Sequence, residues 1–157
     1  MKDSISSAAD KIEIIELINQ FGMLIDLREW ENFSNLFADS VEFDYSSIGE
    51  VAGSLEPKDI VNNARNDLGG FQATQHMITN HHVKFSNSNH ATCQAHVRAF
   101  HYLPGEEGKD ILEMGGYYTA GLIRTDSTWK IKHWKFNVLW SRGNQQIFDV
   151  ARKKVVE

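Results

Sequence analysis

The chain has 157 residues, of which 41% are hydrophobic and 24% are charged, and these values are typical of one globular domain. Its net charge of −5 argues against binding to nucleic acid or to an anionic membrane surface, because phosphate groups are bound by concentrated Lys and Arg. Its single cysteine excludes an intrachain disulfide, and no apolar stretch has the length of a signal peptide or a membrane span, so a cytoplasmic protein is expected.

The first part of the chain has mainly helical patterns. A first helix is predicted from about Ala8 to Asp26, because apolar residues recur there at three- and four-residue steps. A second, short helix is predicted from Trp30 to Phe37. Alternation of apolar and polar residues then predicts a strand over Val41–Tyr45, and a shorter strand is expected near Glu50–Ala52, ended by Gly53.

The second part has mainly strand patterns. A third helix is predicted to open at Glu56–Pro57 and to close at Gly69–Gly70. Four long strands follow, and they are predicted at Gln75–Phe85, Ala91–Leu103, Leu112–Arg124 and Trp129–Trp140. Turn residues, such as those of Pro104–Gly108, connect these strands and indicate an antiparallel meander. A short last helix is predicted over Asn144–Val156.

Side-chain size on the strands indicates a curved sheet. One face of the strand from Ala91 to Ala99 carries mostly small residues, and glycines interrupt the next strand at Gly115, Gly116 and Gly121. Glycine within a strand is typical of a bulge, a bend or a close approach. A curved sheet closed by helices encloses a pocket, so a single α+β domain over residues 1–157 with an internal pocket is predicted.

Five segments and one tryptophan carry a family resemblance when they are taken in this order: Met23–Trp30, Leu36–Phe43, Thr74–Asn80, Gly115–Tyr118, Trp129–Ile131 and Trp140. With the order of predicted elements, they resemble the nuclear-transport-factor-2-like superfamily. Within it, they are similar to the SnoaL-like branch, near scytalone dehydratase and hexachlorocyclohexane dehydrochlorinase. The resemblance implies a cone-shaped α+β barrel in which a curved antiparallel sheet wraps around the N-terminal helices.

The resemblance also implies a catalytic pair. In both of those enzymes an Asp at the end of the first helix pairs with a His on the first long strand, and the matching positions here are Asp26 and His76. A carboxylate that accepts one ring N–H of a histidine leaves the other nitrogen free to remove a proton. Phe21 and Ile25 replace a Lys and a Tyr of the two enzymes, so a different substrate is expected.

Further pocket residues are implied on the strands and helices that the resemblance places around the cavity. A tyrosine there could stabilise a developing enolate, and His101 could be a second acid. Tyr117 and Tyr118 face opposite ways, so at most one of them lines the pocket. The predicted pocket residues are Tyr45, His101, Tyr117, Tyr118, Asn137, Trp30, Phe33 and Trp140.

The function predicted from these residues is a lyase or isomerase that needs no metal or other cofactor. It would dehydrate, isomerise, cyclise or dehydrohalogenate a small hydrophobic molecule, such as a polyketide, a steroid-like or an aromatic compound. A metal shared by His81 and His82 is not favoured, because adjacent strand residues point to opposite faces.

Two other functions stay open at this point: a non-catalytic ligand-binding or interaction module of the same fold, and a structural subunit. Asp26 could also be only the last polar residue of its helix. A homodimer or homotrimer is expected, because Val97, Ile123 and Phe136 would form an exposed apolar face on the sheet.

Overall fold

The computed structural model describes residues 2–105 and 109–156, so residues 106–108 of the predicted turn Pro104–Gly108 lie outside the described residues. Its helices are α1 (Lys2–Asp26), α2 (Trp30–Ser34), α3 (Pro57–Leu68) and α4 (Ile147–Val156), with a 3-10 turn at Ser46–Ile48. Its strands are β1 (Phe37–Asp44), β2 (Ala52–Leu55), β3 (Ala73–Asn87), β4 (His90–Tyr102), β5 (Ile111–Thr125) and β6 (Thr128–Gly143). The predicted α+β class is confirmed. Within the described residues, no helix is long and apolar enough to cross a membrane.

The six strands form one curved sheet in the order β2-β1-β6-β5-β4-β3. Strands β3 to β6 make the predicted antiparallel meander, since each pairs with the next along the chain. The sheet is not antiparallel throughout, because β1 pairs with β6 in the parallel direction. Strands β2 and β3 are its two edges, so the sheet curves around the helices without closing on itself.

The segment after α1 differs from its prediction. Helix α2 ends at Ser34, and β1 begins at Phe37 rather than at Val41. The backbone N–H of Ile131 donates to the carbonyl of Leu36, and Phe37 pairs with Ile131, so β6 draws this stretch into the sheet. The apolar spacing indicated one longer helix. In the structure, some of these apolar side chains are buried from α2 and others from β1.

The inner face of the sheet packs against α1, α2 and α3. At its centre, the fully buried indole of Trp134 stacks on Phe21 of α1, with ring centroids 3.9 Å apart. The prediction that Val97 and Phe136 form an exposed apolar face is wrong, because both side chains are buried on this inner face. The opposite, outer face bears other exposed apolar side chains, and these are Met77, Tyr102, Ile111, Leu139 and Trp140.

Candidate active site

Asp26 and His76 meet where the end of α1 crosses the beginning of β3. The Nδ1 atom of His76 lies 2.7 Å from Oδ1 of Asp26. The backbone N–H of His76 donates to Oδ2 of the same carboxylate at 2.7 Å, and the hydroxyl of Thr74 donates to Oδ1 at 2.9 Å. The carboxylate therefore accepts three hydrogen bonds, and all three come from β3.

The local sequence explains how the helix comes so close to the strand. Gly22 lies one turn before Asp26, and a Cβ at this position would be 3.0 Å from Cβ of His76 and 3.1 Å from Cδ1 of Ile78. A glycine within a helix normally costs stability, so its presence here is consistent with the need for a close contact. The missing side chain allows α1 to lie directly against β3 at the candidate site.

Both side chains are largely removed from solvent, with 7% of His76 and 15% of Asp26 exposed. Burial by itself would raise the pKa of the Asp26 carboxyl, but the hydrogen bonds and charge of His76 and the hydrogen bond of Thr74 outweigh burial, so this pKa is lowered. Asp26 is thus held as a carboxylate. Because a carboxylate only accepts hydrogen bonds, Nδ1 of His76 carries a proton and, in the neutral ring, Nε2 is the free acceptor.

His76 lines a mostly apolar cavity between the sheet and the helices, with a volume of about 690 Å³ including the space at its opening. Asp26 is not part of the lining and lies behind the imidazole. Aromatic and aliphatic side chains form most of the wall, and among them are Phe33, Phe43, Ile60, Met114 and Phe136. The polar groups of the wall include Glu50, Asn63 and Asp67. The mostly apolar lining of this cavity, with a few polar groups, has the character of a site for a small apolar molecule.

His101 lies beside His76, with ring centroids 5.7 Å apart, and its side chain lines the cavity. Its Nδ1 is 3.3 Å from the carbonyl of Leu112, and its ring packs against Phe71 and Phe148. Burial lowers the pKa of His101 to about 3, with a further contribution from His76. The ring is therefore neutral at ordinary pH, with its proton on Nδ1. The role of His101 as a second acid stays a prediction, and this state does not favour it, because the one proton of the neutral ring is donated to the carbonyl of Leu112.

Two of the tyrosines named from the sequence, Tyr45 and Tyr118, line the cavity. The indole N–H of Trp134 donates to the hydroxyl oxygen of Tyr45 at 3.3 Å, and Tyr118 forms a hydrogen bond with Tyr45. Burial raises the pKa of both phenols. Both hydroxyls therefore keep their protons and can act as hydrogen-bond donors.

Four of the predicted pocket residues do not line this cavity, and for them the prediction is wrong. Tyr117 and Asn137 are paired on the outer face, because Tyr118 next in the chain points inward. Trp140 lies over Gly115 on the same outer face, past the irregularity that shifts the register of β6. Trp30 packs against Phe33 and lies under two guanidinium groups rather than at the cavity wall.

Three residues that sequence reasoning missed lie at the site: Gly22, Thr74 and Arg28, whose Nη1 is 3.0 Å from Oγ1 of Thr74. A glycine within the apolar stripe of α1 was a visible signal for a close contact. The roles of Thr74 and Arg28 depend on how β3 and the chain after α1 are placed in space, and no spacing in the sequence encodes this. Within the ranges 2–105 and 109–156, no group of three or more His, Cys, Asp or Glu side chains is arranged to hold a metal ion.

The chain matches one protein family and several curated proteins. The SnoaL-like domain family matches residues 6–135. The Penicillium crustosum protein called terrestric acid biosynthesis cluster protein E is 34% identical over 80 residues, which cover 48% of this chain and 51% of that protein. The match thus spans about half of the fungal relative.

Solved structures with the same fold include a protein of Kribbella flavida, which is 30% identical with a TM-score of 0.85, over 91% of this chain and 99% of that one. A Novosphingobium aromaticivorans protein assigned as a scytalone dehydratase is 18% identical with a TM-score of 0.78, over 90% and 91% of the chains. A hexachlorocyclohexane dehydrochlorinase of Novosphingobium barchaimii is 20% identical with a TM-score of 0.74, over 88% and 92%. At 18% and 20% identity, the likeness shows a shared fold.

Proposed function

The chain belongs to the SnoaL-like domain family, and we propose that it is a lyase or isomerase in which His76 is the general base and Asp26 orients it. One observation carries the proposal: Nδ1 of His76 lies 2.7 Å from a carboxylate that two further donors hold in place, and the ring lines an apolar cavity. This arrangement gives the ring a fixed orientation and presents a basic nitrogen to a bound molecule.

The reaction begins when Nε2 of His76 removes a proton from a carbon next to a carbonyl group. The C–H bonding pair moves towards the carbonyl oxygen and forms an enolate, while the imidazolium is stabilised by the carboxylate of Asp26. The hydroxyl of Tyr45 is the proposed donor to the enolate oxygen. The enolate then expels a group from the β-carbon, is reprotonated at another carbon, or attacks a second carbonyl. These outcomes are elimination, isomerisation and cyclisation, and His76 returns its proton to the product or to the leaving group.

The proposed substrate is a small hydrophobic molecule, of polyketide, steroid-like or aromatic type, and no metal or cofactor takes part in the proposed reaction. The mainly apolar wall of the cavity supports this class. The name of the Penicillium crustosum relative, which assigns that protein to the biosynthesis of terrestric acid, supports a small biosynthetic molecule as well.

The proposal can be tested with 5-nitrobenzisoxazole, a flat neutral molecule whose ring opens when a base removes its acidic carbon-bound proton. The base gains the proton, the N–O bond breaks, and a coloured phenolate forms. We expect saturable catalysis by the wild-type protein and a loss of about 100-fold or more in His76→Ala. His96→Ala is the matched control, because this histidine is exposed on the outer face, and it should keep the wild-type rate.

Equal rates in His76→Ala and His96→Ala would contradict the base assignment. If 5-nitrobenzisoxazole bound saturably without faster ring opening, the alternative of a ligand-binding module without catalysis would be supported instead.

The proposal also includes a homo-oligomer, a dimer or a trimer, that forms through the outer face of the sheet. The five exposed apolar side chains on that face support it, and 66% of Leu139 is exposed. Light scattering of the wild-type protein should give a mass of two or three chains, and Leu139→Asp should reduce it. A monomeric wild-type protein would contradict this part. The cytoplasmic location and the single-domain organisation stay predictions.

A further inference from the structure

The carboxylate of Asp26 is linked to a residue outside the catalytic pair. Nη1 of Arg28 lies 3.0 Å from Oγ1 of Thr74, whose hydroxyl is 2.9 Å from Oδ1 of Asp26. A guanidinium has donors only, so the oxygen of Thr74 accepts from Arg28. The hydroxyl proton of Thr74 is then directed to the carboxylate. Arg28 therefore sets the direction in which the Thr74 hydroxyl points.

Arg28 is itself fixed from three sides. Besides Thr74, its guanidinium donates to the carbonyl of Ile25 at 2.8 Å and to the carbonyl of Leu68 at 2.9 Å. These carbonyls belong to the last turns of α1 and α3, where the regular helical hydrogen bonds end, and each also accepts one backbone N–H, from Arg28 and from Phe71. One side chain thus connects the ends of two helices to the start of β3.

The backbone of Arg28 indicates that this side chain is needed. Arg28 has φ = 60°, in the left-handed region, directly after α1. The N–H groups of Arg28 and Glu29 donate to the carbonyls of Ile25 and Leu24, which is the Schellman pattern. Glycine is the usual residue at this position, because a side chain there costs free energy. The presence of an arginine here, despite this cost in free energy, is consistent with a specific function of its guanidinium group.

We infer that Arg28 is a positioning residue that acts through Thr74 to hold the Asp26 carboxylate against Nδ1 of His76. The inference rests on the proposed function, since the purpose of this arrangement is to keep Nε2 available to the cavity. Arg28 does not line the cavity, so it acts on the base and not on the bound molecule.

The test uses protein with ¹⁵N-labelled histidine and measures how fast the Nδ1-bound proton of His76 exchanges with water. This proton exchanges slowly while Asp26 accepts it. Thr74→Val and Arg28→Met should each speed the exchange by about tenfold, since a net hydrogen bond is typically worth about a factor of ten. Thr74→Ser keeps a hydroxyl and should restore the exchange rate to within about twofold of wild type.

Two matched controls are available. Thr79→Val makes the same change on the same strand, at an exposed outward-facing position. Arg65→Met removes the other guanidinium above Trp30, 5.8 Å from the ring centroid as against 6.0 Å for Arg28. Neither control should change the exchange rate. With 5-nitrobenzisoxazole, Arg28→Met should lower kcat and leave KM unchanged.

A wild-type exchange rate in folded Thr74→Val and Arg28→Met would overturn the inference, even if both variants melted earlier, because a purely structural role affects only stability. If Arg28→Met does not fold, the Thr74→Val and Thr74→Ser pair, which differs by little more than one hydroxyl, still tests the link through which Arg28 acts, and a wild-type exchange rate in folded Thr74→Val overturns the inference. The exchange measurement needs no substrate. If the two variants exchange faster but the wild-type protein shows no catalysis, the positioning role is therefore supported and the proposed function is contradicted.

Discussion

The proposed chemistry depends on the identity of two carboxylate oxygens. Asp26 accepts hydrogen bonds at both oxygens, from the backbone N–H and ring of His76 and from Thr74. In Asp26→Asn, one oxygen becomes an NH₂ group, which cannot accept a hydrogen bond. Because the backbone N–H of His76 is a fixed donor, it keeps the remaining oxygen, and the NH₂ group faces Nδ1 of the ring. The imidazole then loses the partner that fixes its proton on Nδ1.

Asp26→Asn should therefore lower kcat for 5-nitrobenzisoxazole by about 100-fold or more, measured with circular dichroism to check folding. The exposed residue Asp39 offers a control, since Asp39→Asn removes a carboxylate far from the hydrogen bonds of the pair. Undiminished turnover in folded Asp26→Asn would show that the carboxylate has no part in the reaction.

His101 makes the stability of the protein depend on pH. Burial lowers its pKa to about 3 in the folded protein, whereas a histidine in an unfolded chain has a pKa of about 6.5. Between these values the unfolded state binds one proton more, so the free energy of unfolding falls as the pH falls below about 6.5. For this residue alone, the loss between about pH 7.5 and about pH 5 is about 2 kcal/mol.

Urea titrations at these two pH values should show the loss in the wild-type protein, and it should be smaller by about 2 kcal/mol in His101→Gln, which does not titrate. The difference between the two proteins isolates His101 from the other titrating groups. The same pH dependence in both proteins would mean that His101 is protonated in the folded state as easily as in the unfolded chain.

At the residue scale, the sequence predicted the site unevenly. Asp26 and His76 were found through the family resemblance, since about fifty residues separate them and no spacing rule brings them together. Strand alternation correctly indicated that Tyr117 and Tyr118 face opposite ways. The inward member could not be chosen until the register of β5 against its neighbours was known. Thr74 was missed because its role is a contact to the preceding helix.

At the element scale, the site is the place where α1 and β3 touch. Gly22 makes this contact possible, so Gly22→Ala tests how closely the two elements must pack. A helical alanine gains about 1 kcal/mol over glycine, but its Cβ would lie 3.0 Å from Cβ of His76 and 3.3 Å from its carbonyl oxygen. The contact is tighter than normal packing, and part of it is backbone that cannot rotate away.

We expect Gly22→Ala to lower the catalytic rate by about tenfold while changing the free energy of unfolding by only about 1 kcal/mol, because the helix gain offsets the crowding. Kinetics with 5-nitrobenzisoxazole and urea unfolding measure the two effects. Gln20→Ala, at an exposed position of the same helix, is the control. A more stable protein with full activity would show that α1 can move away without consequence.

The elements themselves were largely predictable, and the errors have a common cause. The four long strands were found because alternation and turn residues are local signals. Helix α2 was predicted too long, and the start of β1 was predicted too far along the chain. The reason is that Leu36 and Phe37 are buried, and their spacing fits both the helical period and the strand period of two residues. The parallel pairing of β1 with β6 joins residues about ninety positions apart, which no local pattern specifies.

At the scale of the whole molecule, one sheet has two faces with different tasks. Its inner face and the helices enclose the cavity, and its outer face is covered by no helix of the described residues. The sequence indicated the curvature through Gly115, Gly116 and Gly121, where close backbone or side-chain neighbours leave no room for a Cβ. The sequence could not indicate which apolar residues face outward, because this depends on the pairing register of the strands. A shift of that register by one residue moves every side chain of a strand to the other face.

The most direct test of the central claim is to replace the imidazole of His76 chemically. In His76→Ala, free imidazole added to the solution can occupy the vacated space beside Asp26. The account predicts that added imidazole restores much of the lost rate of 5-nitrobenzisoxazole opening in this variant. It should restore far less in the double variant that also carries Asp26→Asn, which cannot orient the ring. Equal acceleration of both variants, as expected from imidazole acting in free solution, would contradict a base at this position held by this carboxylate.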